Sequence, residues 1–187
     1  MSEDENVVLY PIFLDLSMRR CVVVGGGEVA YRKARKLLQA RAEVVVISPE
    51  VRPELRSVAA EVHRRPYKAG DLEGAYLAFA ATDARDVNAA VAEEAKGQGI
   101  PVNVADRPSE GDFVLPSVLR RGGLQVAVST GGASPTLARR IKGELEEVFG
   151  PEWAVIVEEL RAARLEGVPP SEEFKREVSR CLSRLRG

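Results

Sequence analysis

A chain of 187 residues, 45% hydrophobic and 29% charged, has the make-up of a soluble globular protein. It can bury roughly 70% of its unfolded surface in one large domain, or one domain with an appendage. A formal net charge of −1 with no long basic run excludes the basic face that nucleic-acid binding needs.

The two cysteines, Cys21 and Cys181, lie far apart; they offer no disulfide framework and fit a reducing cytoplasm. The start of the chain is acidic (Glu3, Asp4, Glu5), unlike a secretory leader, and no apolar run is long enough to span a membrane. Residues 1–6 are expected to lack fixed structure. Over Val8–Leu16 the alternation of Ile12, Leu14 and Leu16 predicts an extended segment leading to a turn at Ser17–Arg20.

The chain is organised around the stretch Cys21–Ala30. Three consecutive valines predict a fully buried strand. Gly25, Gly26 and Gly27 then break it, and Glu28 and Val29 open a helix. Gly25, Gly27 and Ala30 fit the Gly-x-Gly-x-x-Gly/Ala fingerprint of dinucleotide folds. One glycine permits the tight turn, the next lets backbone approach a pyrophosphate, and the small third residue lets helix and strand pack closely. Ala30, Ala34, Leu37 and Leu38 form the inner face of the helix. Arg32, Lys33, Arg35 and Lys36 are expected on a solvated outer face.

Val44–Ile47 is a second buried strand, ending at Ser48-Pro49-Glu50, where such a fold reads the adenosine ribose. Glu50 is the nearest acid and no arginine immediately ends the strand, which points to NAD over NADP, with Arg52 close by. A short helix is expected over Pro53–Glu61 and a third strand over Val62–Arg65. That strand holds His63, the one histidine, which cannot build a histidine metal site and is read as structural or surface. Tyr76–Ala80 predicts the next strand, breaking into Ala81-Thr82-Asp83. Asp83 is the expected cap of a helix with Val87, Val91 and Ala95 inward and a stop at Gly97–Gly99. Ile100–Val104 is a further short strand. The alternation implies a doubly wound parallel sheet.

Beyond Val104 the pattern changes. Phe113–Arg120 and Leu124–Ser129 flank Arg121-Gly122-Gly123 as a hairpin. Ser129-Thr130-Gly131-Gly132-Ala133-Ser134-Pro135 leads into a helix with Ser134 as N-cap, Pro135 at its first position and Arg139 and Arg140 one turn in. That helix carries Leu137, Ile141, Leu145 and Val148 on one stripe and stops at Gly150-Pro151. Two more helices come after it, one through Ile156 and Leu160, the other through Phe174, Val178, Cys181 or Leu182, and Leu185.

Two further sites have chemical potential. Asp106, in Asn103-Val104-Ala105-Asp106, ends a strand at the ligand-binding edge of the sheet, where it can start a turn or take a proton. The loop Ser129–Pro135 is either a second anion-binding helix start or a capped helix after a hinge.

In sequence, these motifs resemble the siroheme-synthase dehydrogenase family. They are Pro11-Ile-Phe-Leu-Asp-Leu, Val22 through Ala34, Ala80-Ala-Thr-Asp83, Asn103-Val-Ala-Asp106 and Ser129 through Ala138, covering roughly residues 10–145. The resemblance implies a precorrin-2 dehydrogenase, in some members also a sirohydrochlorin ferrochelatase. It implies a homodimer with NAD as cofactor, a Rossmann domain at 1–112, a small α+β dimerisation region at 113–150 and a helical tail at 151–187. It carries the catalytic role to Asp106. Cofactor contacts fall on Gly25–Val29, Ser48–Glu50, Ala81–Asp83, Asn103 and Val104, and the tetrapyrrole-side loop on Ser129–Pro135. Precorrin-2 is rich in carboxylates, for which Arg120, Arg121, Arg139 and Arg140 are the candidate partners. Methylation, found in fused members, is expected from another chain. A non-catalytic NAD-sensing module is the alternative reading. A dehydrogenase of another small anionic substrate is a third, although the Tyr-x-x-x-Lys pair of short-chain dehydrogenases is absent after the fourth strand.

Overall fold

The computed structural model describes residues 8–183. Leu185 and the acidic residues at positions 3–5 lie outside that range. Residues 9–114 form one compact unit and the chain from 115 onward forms another.

The first unit is built on five short parallel strands: β1 (Arg20–Val24), β2 (Glu43–Ile47), β3 (Glu61–His63), β4 (Leu77–Ala80) and β5 (Val102–Val104). Their order is β3-β2-β1-β4-β5, so β1 is central and pairs with β2 on one side and β4 on the other. Because strand residues alternate faces, the valine runs are buried twice over. Cys21, Val23, Val44, Val46 and Phe79 pack under helix α1 (Glu28–Gln39) and the single turn α2 (Pro53–Arg56). Val22, Val24, Val45, Ala78, Val102 and Val104 pack under helix α3 (Arg85–Gln98). Helix α3 closes on Gly99, whose positive φ of 67° is the left-handed cap expected of glycine.

Several boundaries differ from the sequence reading, each for a local reason. Val8–Leu16 forms no strand: Leu16 is buried, but Ile12 and Leu14 are 59% and 45% exposed, so the alternation does not mark a core face. The helix expected over Pro53–Glu61 stops at Arg56, and Glu61 already pairs in β3. Asp83 does not cap α3. It is exposed, the N-cap is Ala84, and Thr82 Oγ1 accepts the Ala84 N–H at 3.2 Å. Lys33 is not on the solvated face of α1. It stands three residues after Ala30 and four before Leu37, on the inner stripe, and is half-buried.

The second unit opens with an antiparallel hairpin, β6 (Ser117–Arg121) and β7 (Leu124–Val128). Its turn glycines leave room for α5 (Glu152–Glu166): a Cβ on Gly122 would sit 3.0 Å from Ala154 Cβ. Helix α4 (Pro135–Val148) begins as expected, with Ser134 Oγ accepting the Leu137 N–H. Its carbonyl end is held by Arg121, whose Nε donates to Phe149 O at 2.7 Å and whose Nη2 donates to Glu146 O. Trp153 and Ile156 of α5 and Phe174 and Cys181 of α6 (Glu172–Ser183) form a small core of their own. Among the described residues, no helix is long and apolar enough to cross a membrane.

Candidate functional site

All five strands of the first sheet run the same way, so the residues after each strand emerge along one edge. Gly25–Gly27 come after β1, Ala81–Asp83 after β4 and Ala105–Asp106 after β5, on three adjacent strands. Ser48–Glu50 come after β2, on the other side of β1. The backbone stitches these turns together: Gly25 N–H donates to Ile47 O, Ala81 N–H to Val24 O and Ala105 N–H to Ala80 O, each within 2.8–2.9 Å. This is the crevice at the topological switch point where open α/β sheets bind ligands.

The three glycines have different jobs. Gly25 has a φ of +128°, and a Cβ there would lie 2.2 Å from Ala81 O. On Gly26 a Cβ would lie 1.8 Å from Glu50 O. These two let the loops after β2 and β4 close on the turn. A Cβ on Gly27 would meet nothing within 4 Å. Gly27 is also the N-cap of α1, and no side chain caps that helix start. Open space in front of uncapped N–H groups, at the positive end of a helix dipole, fits the pyrophosphate of a dinucleotide. The residues that would line it are Gly27, Glu28 and Val29.

The start of α4 is different. Thr130 Oγ1 accepts the Ser134 N–H, Gly131 N–H donates to Ser129 Oγ, and Ser134 Oγ takes the Leu137 N–H. Much of this loop's hydrogen bonding is therefore spent within itself. Gly131 and Gly132 are exposed with positive φ, and Arg139, also exposed, donates to Thr136 Oγ1. Arg140 is exposed and Arg120 lies near Gln125. Arg121 is the correction among the four arginines, because its guanidinium already serves the carbonyls ending α4.

Beyond β2, Glu50 is exposed, as the ribose reading requires. Arg52 does not stand free beside it. Its guanidinium is ion-paired with both Glu28 and Glu54 and lies over the Tyr31 ring at 5.8 Å; these carboxylates hold it firmly charged. Arg41 sits before β2, on the opposite edge of the sheet, and its carbonyl accepts from Met18 N–H there.

Asp106 sits in a polar cluster that sequence reasoning missed. Asn88, on α3, is 1% exposed. Its Nδ2 donates to Asp106 Oδ1 and to Thr82 O, both at 2.9 Å. Its Oδ1 accepts from Thr82 N–H at 3.1 Å and from Thr82 Oγ1 at 2.8 Å. Arg85 Nη1 lies 3.5 Å from Asp106 Oδ2, while its Nη2 pairs with Glu110. The Asp106 side chain keeps 36% of its surface open.

The second missed residue is Lys33. Its ammonium donates to Asn103 Oδ1 and lies 5.5 Å from the centroid of the Phe79 ring. Burial, with help from Lys36 and Arg32, pushes its pKa down to about 8. Asn103 is itself buried and donates to Phe113 O at 2.9 Å. Its side-chain amide is thus engaged within the protein. His63 pairs with Glu61 on edge strand β3. Among the described residues, no group of three or more His, Cys, Asp or Glu is placed to hold a metal ion.

Comparison with known proteins adds identity to this geometry. A family model for NAD(P)-binding matches residues 12–117, and one for the central part of a sirohaem biosynthesis protein matches residues 121–147. The siroheme synthase of Chromobacterium violaceum is 47% identical over 144 residues, covering 75% of this chain and 31% of that protein. That of Thioalkalivibrio sulfidiphilus is 39% identical over 180 residues, 92% of this chain and 37% of that protein. The chain thus spans about a third of the length of these curated relatives. A solved structure titled SirC, precorrin-2 dehydrogenase, superposes with a TM-score of 0.74 at 32% identity, covering 90% of this chain and 86% of that one.

Proposed function

The chain belongs to the precorrin-2 dehydrogenase family of sirohaem biosynthesis, and from that premise we propose that it oxidises precorrin-2 to sirohydrochlorin with NAD⁺. The observation that carries the proposal is the meeting of an open, uncapped helix start with a carboxylate, Asp106, on one edge of the sheet.

The reaction removes two hydrogens from the macrocycle, one as a hydride and one as a proton. A nicotinamide dinucleotide, when bound, accepts the hydride. The chain's own residues do the rest. Gly27, Glu28 and Val29 receive the pyrophosphate, and Glu50 accepts from the ribose hydroxyls. Ala81–Asp83 and the backbone at Asn103 and Val104 border the nicotinamide half. Asp106, partly open, takes the proton. The preference for NAD over NADP is supported by Glu50, exposed after β2, and by Glu28 and Glu54, which already hold the Arg52 guanidinium. Ser129–Ser134, Arg120 and Arg139 are our candidates for the substrate's carboxylates.

We further propose domains at 1–112, 113–150 and 151–187, a homodimer formed largely through the middle one, and a cytoplasmic location. Two free, buried cysteines support the location. Where iron is inserted into sirohydrochlorin as a second substrate, it shares Asp106.

The test is turnover of precorrin-2 with NAD⁺, followed by macrocycle absorbance, in the wild type and in Asp106→Asn. Loss of a positioned base costs ~10²–10⁴ in rate, so turnover falls by that order while NAD⁺ affinity holds. Wild-type turnover in Asp106→Asn reduces Asp106 to a turn residue.

A further inference from the structure

We infer that Asn88 is the positioning residue for the Asp106 carboxylate, and that it couples this carboxylate to the Thr82 turn after β4. As a statement about catalysis, the inference rests on the reading of Asp106 as the base; as a statement about geometry, it does not.

The amide of Asn88 has two N–H donors and one oxygen with two lone pairs. Both donors and the oxygen are engaged, and only on two residues. Both donors point outward from α3, one to Asp106 Oδ1 and one to Thr82 O, each at 2.9 Å. The oxygen receives the Thr82 N–H and hydroxyl. Asn88 occupies an inner position of α3, three residues before Val91 and four before Ala92, both of which are buried. A buried amide on an apolar stripe is costly unless fully satisfied, and here satisfaction requires both loops to be in place. The amide therefore acts as a bracket between the ends of β4 and β5.

The bracket gives the Asp106 carboxylate one hydrogen-bonded side and one ion-paired side. Oδ1 is bound by Asn88. Oδ2 faces Arg85, whose Nη1 is buried and makes no hydrogen bond, at 3.5 Å. The other charges around it are Glu110, which holds the far nitrogen of Arg85, and Arg107, which pairs with Glu110. None of these fixes the carboxylate plane as a hydrogen bond at 2.9 Å does. A base held in one orientation meets its proton without first being ordered.

Three variants test this: Asn88→Asp, Asp106→Asn and the double exchange. Asn88→Asp keeps an acceptor for Thr82 N–H, removes both donors and sets a carboxylate against Asp106. It should lower kcat by tenfold or more, move the acid limb of the kcat/KM profile up by about one pH unit, and change NAD⁺ affinity less than fivefold. The double exchange restores a single N–H···O bond between positions 88 and 106, now donated from 106. Its Tm should exceed the sum of the single effects by about 2–8 °C, with turnover still lost.

If Asn88→Asp does not fold, the wild type supplies the readout. The Asn88 side-chain amide resonance should follow the ionisation of a carboxyl group with pH, and that dependence should vanish in Asp106→Asn. Additive Tm changes with an unmoved pH profile, or an Asn88 amide indifferent to Asp106, overturn the inference. Coupled Tm values with full turnover in Asp106→Asn keep the pairing and overturn the catalytic reading instead.

Discussion

Substituting Gly27 by valine separates a glycine kept for a ligand from glycines kept for the fold. The backbone at Gly27 has φ −87° and ψ −165°, which valine adopts freely, and an added Cβ meets nothing within 4 Å. The folding cost is that of an apolar residue at an N-cap, on the order of 1 kcal/mol. For a chain of this size that is a Tm drop of about 2–4 °C. The cost to binding is larger. A branched side chain fills the space before α1 and separates a pyrophosphate from the helix N–H groups. Each charge-assisted hydrogen bond is worth about 1.5–3 kcal/mol. Losing two of them weakens binding by roughly 3–6 kcal/mol, at least a hundredfold. Calorimetry with NAD⁺ beside a thermal melt measures both effects. Gly25→Ala and Gly26→Ala are the contrast: their Cβ atoms would press to 2.2 and 1.8 Å from backbone carbonyl oxygens, so these variants should lose stability before binding can be asked about. An unchanged affinity in folded Gly27→Val would refute the placement of the pyrophosphate.

Two more outcomes depend on charges that the fold has already arranged. Because Glu28 and Glu54 both hold Arg52, the wild type should bind NAD⁺ more tightly than NADP⁺. In Glu28→Gln/Glu54→Gln the freed guanidinium should raise NADP⁺ affinity about tenfold, and calorimetry showing no gain would remove Arg52 from the ribose end. The Lys33 ammonium sits at about 8 in the folded chain against an ordinary 10.5. The unfolded chain therefore binds more protons between those values, so stability rises with pH across that window and the burial penalty is complete below it. Lys33→Met should accordingly raise Tm at pH 7, with the gain shrinking towards pH 10. A pH-independent gain would mean that packing, not charge, is responsible.

Much of this site is legible in the sequence because its parts are backbone motifs. Three valines and three glycines specify the first strand and its turn by burial and space alone, and Ser134-Pro135 specifies a helix start by its chemistry. The misses are polar side chains on faces assigned to something else. Lys33 reads as solvated beside Arg32, Arg35 and Lys36, although its spacing from Ala30 and Leu37 places it inward. Asn88 shares the spacing of Val91, Ala92 and Ala95, and a polar residue on that stripe is the signal that marks it. Arg121 resembles its neighbours Arg120, Arg139 and Arg140. Only the packing of the hairpin beside the end of α4 shows that its guanidinium is spent on Glu146 and Phe149 carbonyls.

The same contrast explains how a small sheet assembles a site from residues as far apart in sequence as Gly27, Thr82 and Asp106. Parallel pairing puts their strands side by side and aims every turn to one edge, which main-chain hydrogen bonds alone achieve. Adjacency does not orient a carboxylate, since the turn after β5 is exposed and Asp106 begins no helix of its own. That orientation comes from Asn88, which is anchored by the hydrophobic face of α3. A side chain buried among valines and alanines is as fixed as the core around it. By spending both donors outward, it passes that fixity to the two loops, and core packing becomes precision at the sheet's edge. A substitution that loosens the α3 stripe, such as Val91→Ala, therefore reaches Asp106 through Asn88 without touching the crevice.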